Sequence, residues 1–133
     1  MFDLHNNLAG SPAINPQAIA TNTTVSGLII DLAGFNSAQF FIQSATLTDG
    51  TFTPSITEGN QANLSDGTPT AAADLIGTIA AATFTSTDDN VVRKIGYNGN
   101  RRYIRLNITS SGVTSGGTLA AVCVRGNALH APV

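Results

Sequence analysis

Residues 101–109, RRYIRLNIT, contain the clearest structural pattern in the sequence. Ile104, Leu106 and Ile108 alternate with mostly polar side chains over this stretch. Strict alternation places successive side chains on opposite faces of an extended backbone. The stretch is therefore predicted to be a β-strand whose one apolar face is directed at a core.

The segments on either side of this strand also have the character of strands. Residues 91–97 precede it and end at Asn98-Gly99, a pair typical of tight hairpin turns. Residues 118–125 follow it, after a loop rich in glycine and serine. The last third of the chain is therefore predicted to be a three-stranded antiparallel meander.

The same alternation and turn signals occur earlier in the chain. Phe40 and Ile42 alternate with polar or outward residues, and Asp49-Gly50 is a second strong hairpin signal. Seven or eight short strands without a long amphipathic helix predict an all-β antiparallel β-sandwich or barrel. A length of 133 residues is enough for a single domain with one core.

Residues 1–22 are predicted to form an extended N-terminal arm ahead of a β-domain over residues 23–133. Pro12 and Pro16 exclude a regular helix there, and no alternation is sustained. We expect a protein that lacks residues 1–15 to fold but to lose its partner. The predicted interface residues are Phe2, Leu4, Leu8, Ile14 and Ile19 in the arm, and Phe41 on an outer strand face.

Charge is sparse and unevenly placed. Charged residues make up 11% of the chain and the net charge is -2. All acidic residues lie in the first two-thirds, whereas all lysine and arginine residues lie between residues 93 and 125. This division predicts either head-to-tail contacts between subunits or neutralisation inside one molecule. The candidate inter-subunit charges are Arg93, Arg101, Arg105, Asp88 and Asp89.

No catalytic, cofactor-binding or metal-binding site is predicted, and we expect a protein that is not an enzyme. The two histidines, His5 and His130, lie near opposite ends of the chain, far in sequence from any paired nucleophile. Asp3 could join them as a metal ligand only if the termini met, and no local motif supports this. Cys123 lies in an apolar stretch and is expected to be a small buried residue.

Nucleic acid and membranes are unexpected partners. Arg101, Tyr103 and Arg105 share one strand face and offer cations beside an aromatic ring. However, six lysine and arginine residues in an acidic chain provide few phosphate contacts. The sequence contains no apolar stretch long enough for a membrane span. Its first residues do not have the pattern of a secretory signal.

Several motifs resemble a family of small structural proteins from tailed bacteriophages and prophages, which include head decoration, or cement, proteins. They are TDDN at residues 87–90, KIGY at 94–97 followed by Gly99, RYIRL at 102–106 and GVTSGG at 112–117, together with MFDLHN at 1–6 and SPAI at 11–14. The resemblance implies a virion component of the head or neck region. We expect this protein on the capsid surface, as a decoration protein made in the host cytoplasm. The resemblance also implies the major capsid protein as partner and a homotrimer as oligomer.

Two alternatives to capsid decoration remain open on the sequence. The protein could belong to the neck or tail of a phage, as a stopper, tail-tube or tail-terminator component, and copy number per particle would distinguish this location. It could also be a binding module for a glycan or a nucleic acid. A β-sandwich of this type usually binds glycans through exposed aromatic rings, and the chain contains no tryptophan.

Overall fold

The computed structural model describes residues 3–133, which contain ten β-strands and one short 3-10 helix. The strands are β1 (Ala9–Ile19), β2 (Thr24–Asp31), β3 (Phe35–Leu47), β4 (Thr51–Gly59), β5 (Thr68–Pro69), β6 (Leu75–Ile76), β7 (Phe84–Thr85), β8 (Val92–Tyr97), β9 (Tyr103–Ser111) and β10 (Gly117–Ala128), and the helix is Ala72–Asp74. Seven of the strands have six or more residues. The prediction of an all-β single-domain fold is confirmed.

The strands form two antiparallel sheets that pack face to face as a sandwich. Sheet A has the order β1-β10-β3-β8-β6. Sheet B has the order β2-β9-β4-β5, and β7 also pairs with β4. With the exception of β4 and β5, consecutive strands lie in opposite sheets. The order β1-β10-β3-β8 facing β2-β9-β4-β7 is that of an eight-stranded jelly roll.

The prediction of a three-stranded C-terminal meander is wrong. Strand β8 lies in sheet A beside β3, and β9 lies in sheet B between β2 and β4. Asn98-Gly99 therefore connects the two sheets and does not form a hairpin, and Asp49-Gly50 likewise connects β3 to β4. Turn signals report where the chain reverses direction, but a reversal can lead into the facing sheet as well as into a neighbouring strand.

The inward side chains of both sheets form one continuous core. Ile104, Leu106 and Ile108 of β9 are fully buried, as their alternation predicts. Phe40 and Ile42 of β3 meet them from the opposite sheet. The other large buried side chains are Ile14, Ile19, Ile30, Leu47, Phe52, Ile56, Phe84, Ile95, Tyr97 and Leu119. Alternation along each strand is thus sufficient to identify most of the core.

The predicted arm over residues 1–22 is largely part of the sandwich. Residues 9–19 form β1, which pairs with β10 along nearly its whole length. Ala13, Ile14 and Ile19 are buried in the common core, with exposed fractions of 0%, 2% and 2%. Of the described residues in this segment, 3–8 and 20–22 lie outside the strands, and in the first of these stretches Asp3 accepts hydrogen bonds from the backbone N–H and side-chain amide of Asn6. The domain therefore begins at β1.

Two irregularities in β1 explain why its sequence shows no alternation. The register with β10 shifts between Pro12 and Ile14 and again between Ile14 and Gln17. Each shift inserts an extra residue, so Ala13 and Ile14 are both buried although they are adjacent. The prolines are tolerated because β1 is an edge strand, where one side of the backbone has no partner strand.

The Asp49 carboxylate anchors the loop between β9 and β10. It accepts hydrogen bonds from the backbone N–H groups of Thr114, Ser115 and Gly116, at 3.0, 3.0 and 2.8 Å. These bonds favour the ionised carboxylate and lower its pKa below the ordinary 3.8. The loop between β3 and β4 is thereby fastened to the loop between β9 and β10.

We expect Asp49→Asn to reduce the loss of stability in acid. Because the folded pKa is depressed, the Asp49 carboxylate stabilises the fold above pH 3.8, and this contribution is lost as pH falls through the folded pKa. Urea unfolding midpoints measured from about pH 7 to pH 2 will therefore fall less steeply in the variant. Asp74→Asn is the matched control, because within residues 3–133 its carboxylate accepts no hydrogen bond. Identical acid profiles for Asp49→Asn and the unmodified protein would contradict the anchor.

Candidate interaction surface

The outer face of sheet A carries apolar side chains on each of its three central strands, with a few polar ones between them. The register of the three central strands places Phe41 opposite both Val122 and Lys94, and places Gln43 opposite both Ala120 and Val92. We call the outward apolar residues of this sheet the apolar face; they are Pro12, Phe41, Ile76, Val92, Ala120, Val122 and Val124. Across the outward positions of β3, β8 and β10, all of which the structure describes, Lys94 is the single charged side chain.

Two adjoining grooves mark the apolar face. The first has a volume of about 230 Å³ and is lined by Phe41, Gln43, Val92 and residues 120–122. The second, of about 410 Å³, lies on the other side of Val92 and is bordered by Ile76 and Lys94. Ile76, Val92 and Val122 remain 57%, 57% and 48% exposed. Grooves flanked by exposed aliphatic side chains can receive the side chains of a protein partner.

The outer face of sheet B is more polar. Its outward positions carry mainly hydroxyl and amide side chains, namely Thr24, Ser26, Thr53, Ser55, Thr57, Asn107 and Thr109. Thr24 and Thr109 share a hydrogen bond, and the Asn107 amide donates to Thr57 Oγ1. This is a surface well suited to water. Apolar side chains occur on sheet B in the irregular part of β2, where Leu28 is 46% exposed, so the two outer faces differ in polarity by degree.

The predicted interface residues divide into three groups. Phe41 lies on the outer face of sheet A, and its role as a contact residue stays a prediction. Ile14 and Ile19 are core residues of their own domain, so their prediction as contact residues is wrong, because β1 completes sheet A. Leu4 and Leu8 lie outside the strands, with 67% and 36% of their surfaces exposed. Phe2 lies outside the described residues.

Leu8 extends the apolar face toward the chain termini. A Cβ atom on Gly126 would lie 2.8 Å from Leu8 Cδ2, so the leucine covers this glycine. Gly126 lies on the same outward side of β10 as Val122 and Val124. The backbone N–H of Val133 donates to the Asn6 carbonyl at 3.1 Å, which brings the C-terminus to the same end of the sandwich.

Three of the predicted inter-subunit charges are satisfied inside the molecule. Arg93 forms a salt bridge with Asp88 at 2.9 Å, and its guanidinium lies over the Phe84 ring. Asp89 accepts the backbone N–H of Leu47 at 2.8 Å. The interpretation in which opposite charges neutralise each other within one chain therefore holds for Arg93 and Asp88, whereas Asp89 is held by a backbone N–H. The physical reason is that the β7–β8 connection folds back against β3.

The remaining predicted cations, Arg101 and Arg105, lie apart from Arg93. Arg105 is on the outer face of sheet B, whereas Arg101 lies in the β8–β9 connection. Tyr103 shares the outer face of β9 with Arg105, but Arg102 stacks on the Tyr103 ring and is paired with Asp31 at 3.0 Å. The predicted nucleic-acid surface is therefore interrupted, because Arg101 lies outside β9 and the ring of Tyr103 is covered by an arginine that is paired with Asp31.

The remaining titratable groups are structural. Cys123 is fully buried, and burial raises the pKa of its thiol to about 11, which keeps the thiol protonated. Burial, followed by the hydrogen bond to Glu58, raises the pKa of Tyr97. Within residues 3–133 no three histidine, cysteine, aspartate or glutamate side chains come together as metal ligands. No helix in this part of the chain is long and apolar enough to cross a bilayer.

The sequence predictions missed Ile76, Val92 and Val122. A signal for Val122 was present, because residues 119–124 are apolar at every position and must therefore present apolar side chains on both faces of a strand. The inward set is Leu119, Ala121 and Cys123, so the outward set is Ala120, Val122 and Val124. Val92 and Ile76 join this set only through strand pairing.

Comparisons with known proteins reveal similarity of fold without close relatives. No protein-family model and no curated protein sequence matches the chain. Among solved structures, the PBSX exported protein XepA matches 89% of this chain and 37% of its own, at 15% identity and a TM-score of 0.54. A chain of the infectious bursal disease virus Gx strain matches 90% of this chain and 32% of its own, at 16% identity and a TM-score of 0.46.

The SPBc2 prophage-derived protein YomS matches 90% of this chain and 92% of its own, at 13% identity and a TM-score of 0.42. This chain spans about a third of the length of XepA and of the viral chain. Fold similarity at such low identity carries no assignment of activity. The chain therefore shares its β-sandwich fold with XepA.

Proposed function

We propose that this chain is a structural protein of a tailed-phage virion, and that it decorates the head by binding across joints between major capsid protein subunits. The observation that carries the proposal is the apolar face, with its two grooves and its single lysine. A contiguous apolar surface is rare on a protein that works alone, and commonly marks a contact with another protein. Depletion of charge is a property of the centres of protein interfaces.

The rigidity of the apolar face suits a structural role. Phe41, Val92 and Val122 project from paired strands of one sheet, so little conformational entropy is lost when a partner covers them. On a particle, each copy would form several such contacts at once, and contacts tied together bind more firmly than one alone. The motif resemblance to small phage structural proteins supports the virion as the place where this occurs.

The proposal assigns the contact to the apolar face instead of an arm. Residues 9–19 are part of sheet A, so among the described predicted contact residues of the N-terminal segment Leu4 and Leu8 are the ones exposed to a neighbour. Leu8 borders the apolar face and enlarges it at one end. A homotrimer, implied by the resemblance, remains part of the proposal and is tested by light scattering of the purified protein.

Val122→Asp is expected to reduce incorporation into particles by about tenfold or more, because it places an unpaired charge at the centre of the proposed contact. The measurement is mass-spectrometric quantification of this chain relative to the major capsid protein in purified particles. Ser55→Asp is the matched control, since it introduces the same charge in mid-strand on the polar outer face of sheet B. Equal incorporation of the two variants would contradict the assigned face.

The number of copies of this chain in the same particles tests whether it lies on the head or in the neck or tail. Decoration predicts an amount comparable with that of the major capsid protein, since the joints between its subunits recur over the whole head. A stopper or terminator would instead be present in the small number of copies that one ring requires. If each particle contains only the copies that one ring requires, decoration is excluded but a role in the virion is not. If the protein is absent from the particles, both are excluded.

A further inference from the structure

A cleft of about 370 Å³ opens at one end of the sandwich. One wall is the segment 32–38, which joins β2 to β3 and begins β3. The other wall consists of residues 99–102, between β8 and β9, together with Asn60. We call it the end cleft. None of the residues that line it lines the two grooves of the apolar face.

Hydrogen bonds hold the walls of the end cleft in place. The backbone N–H of Leu32 donates to the Arg102 carbonyl at 2.8 Å and joins one wall to the other. Arg102 N–H donates to Asn60 Oδ1 at 3.3 Å. Below them, the Tyr97 hydroxyl donates to Glu58 at 2.6 Å and accepts the N–H of Arg101 at 3.1 Å. The site is therefore preformed, so a ligand need not order it.

Polar groups with unused hydrogen-bonding capacity line this cleft. Within residues 3–133, the side chains of Asn36, Ser37 and Asn100 form no hydrogen bonds to protein, and neither does the Arg101 guanidinium. Arg102 also lines the cleft, but its guanidinium is held by both carboxylate oxygens of Asp31 at 3.0 Å. Arg101 forms no salt bridge within residues 3–133 and is the cation that a ligand can reach, but the Asp66 carboxylate is close enough to interact with it, so an anionic ligand would compete with Asp66.

These groups define the chemical class of the ligand. Amides and hydroxyls at fixed positions suit a molecule with several hydroxyl groups, and a guanidinium prefers a carboxylate. The lining contains no carboxylate side chain that would repel an anion. Flat aromatic ligands are disfavoured, because the Tyr97 ring is buried and Phe35 is stacked beneath Arg125. The volume lies at the small end of the range of about 300–1,000 Å³ for ligand sites.

We propose that the end cleft binds an acidic saccharide, whose carboxylate pairs with Arg101 and whose hydroxyl groups bond to Asn36, Ser37 and Asn100. This inference does not depend on the proposed virion role. The cleft and the apolar face share no lining residue, so a negative result for one leaves the other intact.

The test is an NMR titration of the isotope-labelled, full-length protein with galacturonic acid, up to about 10 mM. We expect shifts confined to the backbone amides of residues 32–38 and 99–102, and at least a fivefold weaker affinity in Arg101→Gln. Arg105→Gln is the matched control, since it removes an arginine on the outer face of sheet B and should bind as the unmodified protein does. Galactose, which lacks the carboxylate, should bind at least fivefold more weakly than galacturonic acid.

Four results would overturn the inference. Three concern the site: the absence of shifts with galacturonic acid, shifts located outside the cleft, and equal affinities of Arg101→Gln and Arg105→Gln. Equal binding of galactose and galacturonic acid would reject the acidic class of ligand, since the guanidinium would then contribute nothing to recognition.

Discussion

A protein that lacks residues 1–15 is expected to lose its cooperative unfolding transition and to aggregate. The deletion removes Ala13 and Ile14 from the core and leaves β10 without its partner along residues 121–125. Truncation of one buried isoleucine costs about 2–5 kcal/mol, whereas a domain of this size has about 5–15 kcal/mol in total. The exposed edge of β10 would also invite pairing with other chains.

A protein that lacks residues 1–7 is the control for this deletion. Those of its missing residues that the structure describes are all exposed, and it retains both Leu8 and the whole of β1. Its thermal midpoint, measured by circular dichroism, should stay within a few degrees of that of the complete chain. A cooperative transition at an unchanged midpoint after removal of residues 1–15 would restore the separate arm that the sequence predicted.

Gly116→Ala is expected to destabilise the fold by about 3 kcal/mol or more. Its backbone has a φ of +73°, and an added Cβ would lie only 1.7 Å from the Ile19 carbonyl oxygen. Positive φ alone costs a non-glycine residue about 1–2 kcal/mol. The remainder arises because the obstructing atom belongs to the backbone at the end of β1, which cannot move without disturbing the pairing of β1 with β10.

Gly112→Ala separates these two contributions. Gly112 has a φ of +65°, but an added Cβ there meets no atom within 4 Å. The Gly112→Ala variant should therefore lose only the stability that a positive φ costs a non-glycine residue, about 1–2 kcal/mol. Urea denaturation of both variants provides the comparison, and equal losses would show that the approach of Gly116 to Ile19 is unimportant.

The difference between the two outer faces follows from strand pairing. In β10 and β3, apolar residues such as Val122 and Phe41 occupy outward positions, where water would favour polar ones. Neither residue contributes to the core, so the stability of this fold does not explain them. A partner that covers the apolar face would bury them, which is the reason we place the contact of the proposed virion protein there.

The local properties of the chain were predictable from the sequence. The alternation of Ile104, Leu106 and Ile108 identified both a strand and its buried face, and Phe40 and Ile42 did so for β3. Such inferences depend on the period of a single segment, which its own residues specify.

The sequence by itself therefore determined the fold class, the extended segments and most core positions. Tertiary structure alone decided that Asn98-Gly99 crosses between sheets, that Ile14 completes the core, and that Val92 and Val122 share an outer face. The physical reason is that alternation specifies which face of a strand is buried but not which strand lies beside it. Partners such as Ala9 and Arg125 meet across nearly the whole chain, and only the packing of the complete core selects that pairing over its alternatives.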